Sequence, residues 1–180
     1  EDEKVKETTL PPSQPSPYRF KYTGVDISHS MLDAAKFILK EQSVDSIFFD
    51  KISDVYKRSQ QLNEKFDVIV CAYTLSELAN DHMKRTATQL MFELLDNHGV
   101  LIFIDKGDPI GSHHVRTARQ FLLDLTNPNK QWKERYSLES EAKVMAPCTH
   151  SRFCPLEKGS WCSFSQKVEI PALYKKEEEK

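Results

Sequence analysis

Three of the chain's four cysteines fall within a short stretch, MAPCTHSRFCPLEKGSWCSFSQKVEIP, where Cys148, Cys154 and Cys162 are spaced C-x5-C-x7-C. Clustered thiolates are ligands for zinc or for iron–sulfur clusters, and both usually take four protein ligands. Zinc knuckles favour cysteine pairs roughly two to four residues apart. The gaps here are five and seven, which suits a larger object such as a cubane cluster. His150 offers a fourth ligand for the alternative, a Cys3His zinc site. A thiol-lined knuckle without metal is the third reading. No secretory pattern opens the chain, and the thiols are clustered, so metal is expected rather than disulfides.

Two carboxylates form the second constellation. Asp26 ends the stretch YTGVD and Asp50 ends IFFD. In an open α/β sheet, ligands bind beyond the carboxyl ends of the strands. A carboxylate at Asp26 can accept both hydroxyls of a ribose, and Asp50 can meet an adenine edge. The following stretch, FDVIVCAYTLSEL, runs into a loop that would face a methyl donor. This order resembles the class I S-adenosylmethionine-dependent methyltransferases. In that fold a glycine-rich turn after the first strand lets the backbone approach the cofactor. The five glycines here begin at Gly24 and contain no G-x-G. The first strand and its turn are therefore expected to be missing from this chain, and S-adenosylmethionine binding is left open. No N/D-P-P-Y/F/W motif follows FDVIV, so no catalytic residue is assigned. Glu77 reads as a helix-start carboxylate, with a general base as the alternative. Cys71 reads as a packed core thiol.

The elements that would position these residues alternate. RFKYTGVDIS reads as a strand ending at Asp26. MLDAAKFILKEQ reads as a helix capped by Ser28 or Ser30, with Met31, Ala34, Ala35, Ile38 and Leu39 on one side. DSIFFDKI is a second strand, and KFDVIVCAY a third, with the apolar run of a strand buried on both faces. HMKRTATQLMFELL is a helix broken at Asn97-His98-Gly99, VLIFID a fourth strand, and HHVRTARQFLLDL a further helix. The fold class is α/β, a Rossmann-like, mostly parallel sheet. Residues 1–17 read as a proline-rich arm, 18–142 as a partial methyltransferase-like domain, 143–171 as a cysteine-rich module and 172–180 as a charged tail.

Bulk numbers agree with a globular protein. Of 180 residues, 39% are apolar and 29% charged, with a net charge of −2, which argues against coating nucleic acid by bulk attraction. Residues 18–112 carry eleven Lys/Arg against fourteen Asp/Glu, whereas 113–168 carry nine against five. The second half can offer a local basic face to RNA, or merely a solvated one. No run of about 18 apolar residues exists, so no membrane span is expected.

APCTHSRFCPLEKGSWCSFSQKVE resembles the A-P-C-x-H-x-x-x-C-P … W-C-x-F-x-Q-R/K-V signature of the methyltransferase-like mitochondrial ribosome small-subunit assembly proteins. LSEL at 75–78 and FIDKGDPIGSHHVRTARQFLL at 103–123 extend the resemblance, with Asp105 standing for a glutamate and Val115 for an isoleucine. Together these cover residues 18–171. The resemblance implies a mitochondrial-matrix assembly factor, more scaffold than enzyme, that binds small-subunit rRNA among mitoribosomal proteins and other factors. It implies a four-iron–four-sulfur cluster, with Cys148, Cys154 and Cys162 as three ligands and the fourth expected in sequence after Lys180. An active rRNA methyltransferase and a zinc-binding interaction module are the alternatives. Within the signature, Pro147 and Pro155 stiffen the loops beside the ligands. Trp161 and Phe164 can shield a cluster from water. Arg152, Lys158 and Lys167 can meet RNA phosphates or remain solvated.

Overall fold

A computed structural model describes residues 20–42, 44–127, 141–156 and 159–164. The arm at 1–17, the tail at 172–180, Lys158 and Lys167 lie outside the described residues. The chain divides into two compact units, residues 1–55 and 56–180.

The first unit is a βαβ element. β1 (Lys21–Val25) pairs in parallel with β2 (Asp45–Phe49), and α1 (His29–Glu41) supplies the crossover that parallel strands need. Ser28 is the cap of α1: its side chain accepts from the Met31 N–H. The helix packs on both strands. Its inward stripe is Leu32, Ala35 and Leu39. This corrects the expected face. Leu32 is 5% exposed, whereas Met31 and Ile38 are each 60% exposed. The i, i+3, i+7 spacing carries the three inner positions, and Met31 and Ile38 fall outside that stripe. A further helix, α2 (Ile52–Leu62), runs across the boundary between the units.

The second unit holds β3 (Phe66–Ala72), the short α3 (Thr74–Glu77), α4 (Asp81–Leu94), β4 (Leu95–Ile104) and α5 (Pro109–Leu125). β3 and β4 pair in parallel. The strands thus form two two-stranded parallel sheets, an α/β arrangement consistent with the Rossmann-like class. β3 was expected to be buried on both faces. Instead Val68 and Val70 are each 56% exposed, and Cys71 is the strand's buried residue. In a two-stranded pair the alternate side chains of one face need a covering layer, and among the described residues this face is open.

The break expected at Asn97-His98-Gly99 is instead a bulge inside β4. Phe66 pairs with Leu95, and the next pair is Val68 with Val100. Glycine is required there, because a Cβ on Gly99 would lie 2.8 Å from the Phe66 carbonyl oxygen. At the end of β3, Tyr73 takes a left-handed conformation (φ 59°) that turns the chain into α3.

α5 begins earlier than its apolar periodicity suggests, because Asp108 caps it and Pro109 opens it. The Asp108 carboxylate accepts the Gly111 N–H at 2.7 Å. Asp108→Ala is expected to cost about 1 kcal/mol of stability, read from a urea midpoint. An unchanged midpoint would show that water replaces the cap. The core of this unit is Leu75, Met91, Leu94, Ala118, Leu122 and Leu125, where α3, α4 and α5 meet. No helix of the described residues is long and apolar enough to cross a membrane.

Candidate functional site

The cysteine-rich segment is strung along α5. Ala142 donates its N–H to Thr126 Oγ1 at 3.0 Å, beside the helix C-terminus. Arg119 Nη2 donates to the carbonyls of His150 at 2.9 Å and Arg152 at 2.8 Å. Arg116 Nη1 donates to the Ser160 carbonyl at 3.4 Å. Ser112 Oγ accepts the Cys162 N–H at 3.0 Å. Gly107, just before the helix, faces Ser163. The segment therefore runs antiparallel to α5 as a strap. Ser112, Arg116 and Arg119 stand at i, i+4 and i+7, one face of the helix.

The two carbonyls that Arg119 holds fall, in sequence, between two of the cysteines. His150 lies two residues after Cys148, and Arg152 two residues before Cys154. All three cysteines are free thiols; Cys148 and Cys154 are half-buried and Cys162 is exposed. They belong to one strap, but among the described residues no group of three or more His, Cys, Asp or Glu is gathered to hold a metal ion. The donor type suits a thiophilic metal centre. Arg119 Nε and Nη1 are buried and have no hydrogen-bond partner among the described residues. His150, the alternative zinc ligand, accepts the Arg152 N–H at Nδ1 (3.2 Å), which leaves Nε2 as its coordinating nitrogen.

Cys71 differs in kind. It is 6% exposed, and burial pushes its thiol above the ordinary range, partly offset by a hydrogen bond with Thr74. A raised pKa means less thiolate and slower nucleophilic attack. In reduced, metal-free protein at pH 8, iodoacetamide is expected to label Cys148, Cys154 and Cys162 well before Cys71. Peptide mass mapping reads the order. Equal labelling of Cys71 and Cys162 would contradict the buried-thiol assignment.

Asp26 and Asp50 come together at adjoining strand ends, because Val25 is in register with Phe49. The Asp26 N–H donates to the Phe49 carbonyl at 3.2 Å. One Asp26 oxygen already accepts the Ser28 N–H at 2.7 Å, and Asp50 lies 3.8 Å from His29 Nδ1. Glu77 is exposed on the single turn of α3.

One cluster was not foreseen. Lys84 Nζ lies 3.1 Å from His114 Nε2, and His114 Nδ1 lies 3.4 Å from Asp105 Oδ2. An ammonium can only donate, so Nε2 accepts and the imidazole proton is assigned to Nδ1, facing the carboxylate. The Asp105 side chain is 1% exposed. Lys84, Arg85, Thr88 and His113 line a shallow cleft beside it. The adjacent His113 and His114 on a helix give no sequence signal for such a partnership. The D-K-G-D run after β4 was the nearest clue.

The strap and the α5 face that holds it lie wholly within a stretch matched by one protein family, described as mitochondrial small ribosomal subunit Rsm22, over residues 13–177. The chain belongs to the Rsm22 family. This family assignment is mitochondrial, as the sequence resemblance implies. The Rsm22-family chain is also 30% identical, over 153 residues, to the human protein named "Ribosome assembly protein METTL17, mitochondrial". That match covers 81% of the Rsm22-family chain but 30% of the human protein's length.

Proposed function

We propose that this chain contributes to assembly of the mitochondrial small ribosomal subunit as a methyltransferase-like scaffold, with Cys148, Cys154 and Cys162 as three ligands of an iron–sulfur cluster. The strap along α5 carries the reading. One helix face fixes the main chain around all three thiols, so they have a common support although they are not yet gathered. When bound, a cluster supplies a covalent clasp between loop segments and an electron-carrying centre. Arg152, exposed on the same strap, is a candidate contact for an rRNA phosphate. The name of the human relative and the family description support the ribosomal setting.

The test is anaerobic purification of the full-length protein, followed by an absorption spectrum and iron, sulfide and zinc analysis. About four irons and four sulfides per chain, lost in Cys154→Ser, are expected. Zinc without iron would replace the cluster with a zinc site.

A nucleoside-binding edge is a second reading, favoured by the adjoining placement of Asp26 and Asp50. Calorimetric titration of the full-length protein with S-adenosylmethionine tests it. Binding that weakens in Asp26→Ala supports the edge, and absence of binding removes it.

A further inference from the structure

We propose that the strap is a base-stacking surface for single-stranded RNA, with Phe153, Trp161 and Phe164 as the stacking rings. This rests on the ribosomal reading above, whose RNA contact it makes specific, and not on a bound metal. The three rings are large apolar groups left in water: Phe153 is 77% exposed, Phe164 72% and Trp161 49%. Among the described residues none of them stacks on another ring. The way the strap is held accounts for this. α5 grips main-chain atoms, so the neighbouring rings take no part in the attachment. Phe153 adjoins Arg152, whose carbonyl Arg119 holds. Trp161 stands between the Ser160 carbonyl held by Arg116 and the Cys162 amide held by Ser112. Phe164 follows Ser163, which faces Gly107. The rings therefore succeed one another down the helix. From Arg119 to Ser112 the axis advances about 10 Å, the length of about three nucleotides in a stacked strand, so the rings serve separate bases.

Charge says which partner fits. Arg152 and Lys143 are exposed on the strap. Arg116 uses Nη1 for the Ser160 carbonyl and is half-buried, with further N–H donors toward solvent. Among the described strap residues, 141–156 and 159–164, Glu141 is the one carboxylate. Aromatic rings interleaved with cations suit a polynucleotide: the rings stack on bases of any sequence, and the cations meet phosphates. An apolar protein surface would leave the cations without a use. In duplex RNA the base faces are occupied by their own stack, so the rings can reach only an unpaired segment.

The experiment uses full-length protein and fluorescence anisotropy of a short, fluorescein-labelled single-stranded RNA of mixed sequence, alone and annealed to its complement. Wild type is expected to prefer the single strand. Phe153→Ala and Trp161→Ala should each weaken that binding about 5- to 150-fold. Phe153→Leu, which keeps the apolar bulk but not the ring, should be as weak as Phe153→Ala, and Trp161→Phe should retain most of the affinity. Arg152→Ala should instead lower the salt slope of log Kd by about 0.7. Thermal unfolding checks each fold, and where an alanine variant fails to fold, Phe153→Leu against Trp161→Phe gives the reading. Full affinity in Phe153→Leu would make the patch a protein-docking face and overturn the proposal. Single-strand binding that ignores all the ring variants would overturn stacking and leave the rRNA phosphate contact standing. No RNA binding by wild type would overturn both.

Discussion

Replacing Gly111 with alanine is expected to leave little folded second unit. Gly111 lies in the first turn of α5, and a Cβ there would run into the Lys106 backbone, overlapping its carbonyl oxygen and standing 2.8 Å from its nitrogen and 3.0 Å from its carbonyl carbon. These are main-chain atoms, so no side chain can rotate aside. Lys106 cannot easily retreat either, because it closes the short turn between β4 and the Asp108 cap, and that cap bonds the Gly111 N–H itself. Adding a methyl to a packed core typically costs about 1–3 kcal/mol. A main-chain collision at a capped helix start should reach or exceed the top of that range. Gly107→Ala is the control, since its Cβ would meet only Ser163 Cβ at 3.5 Å, an ordinary contact. Urea denaturation of the two variants should separate them clearly. A wild-type midpoint for Gly111→Ala would mean that the β4–α5 turn relaxes without cost.

His114→Leu is expected to be nearly as damaging. It removes the group facing both Asp105 and Lys84. The Asp105 carboxylate, already almost wholly buried, then has no partner on the α5 side. Leaving a buried polar group without its partner typically costs about 1–3 kcal/mol, and more when the group is charged. The double variant Asp105→Leu/His114→Leu should therefore recover part of the loss, because the stranded carboxylate goes with it. Thermal unfolding of the two single variants and the double variant measures this coupling. A double variant no more stable than the sum of the singles predicts would show that shape, rather than charge, makes His114 necessary.

Much of this was legible in the sequence, for local reasons. Asp26 and Asp50 each follow a short apolar strand, so their placement at strand ends depended on a few neighbouring residues. Ser28 was readable as a cap because capping is settled within three positions. The cysteine cluster was visible as composition and spacing. α2 escaped because its middle, KRSQQ, is polar and its inward positions are few. The rotated face of α1 and the open face of β3 escaped because burial depends on what covers an element, not on its own apolar residues. The support for the cysteines was hidden most deeply. Ser112, Arg116 and Arg119 read as ordinary polar positions on an amphipathic helix. Their partners lie 31 to 50 residues further along the chain, a separation at which no periodicity survives. The Lys84–His114–Asp105 cluster has the same character, since its members come from two helices and a strand end.

The strap on α5 has one further property. The three α5 anchors bond main-chain atoms of the strap: the carbonyls of His150, Arg152 and Ser160 and the amide of Cys162. The helix therefore reads the path of the strap and not its side chains. Substitution between the thiols can be extensive without loosening the attachment, provided the main chain keeps its course. Docking and chemistry are separable inheritances: a strap that lost its thiols would still lie on α5, and one that kept them would present them on the same track.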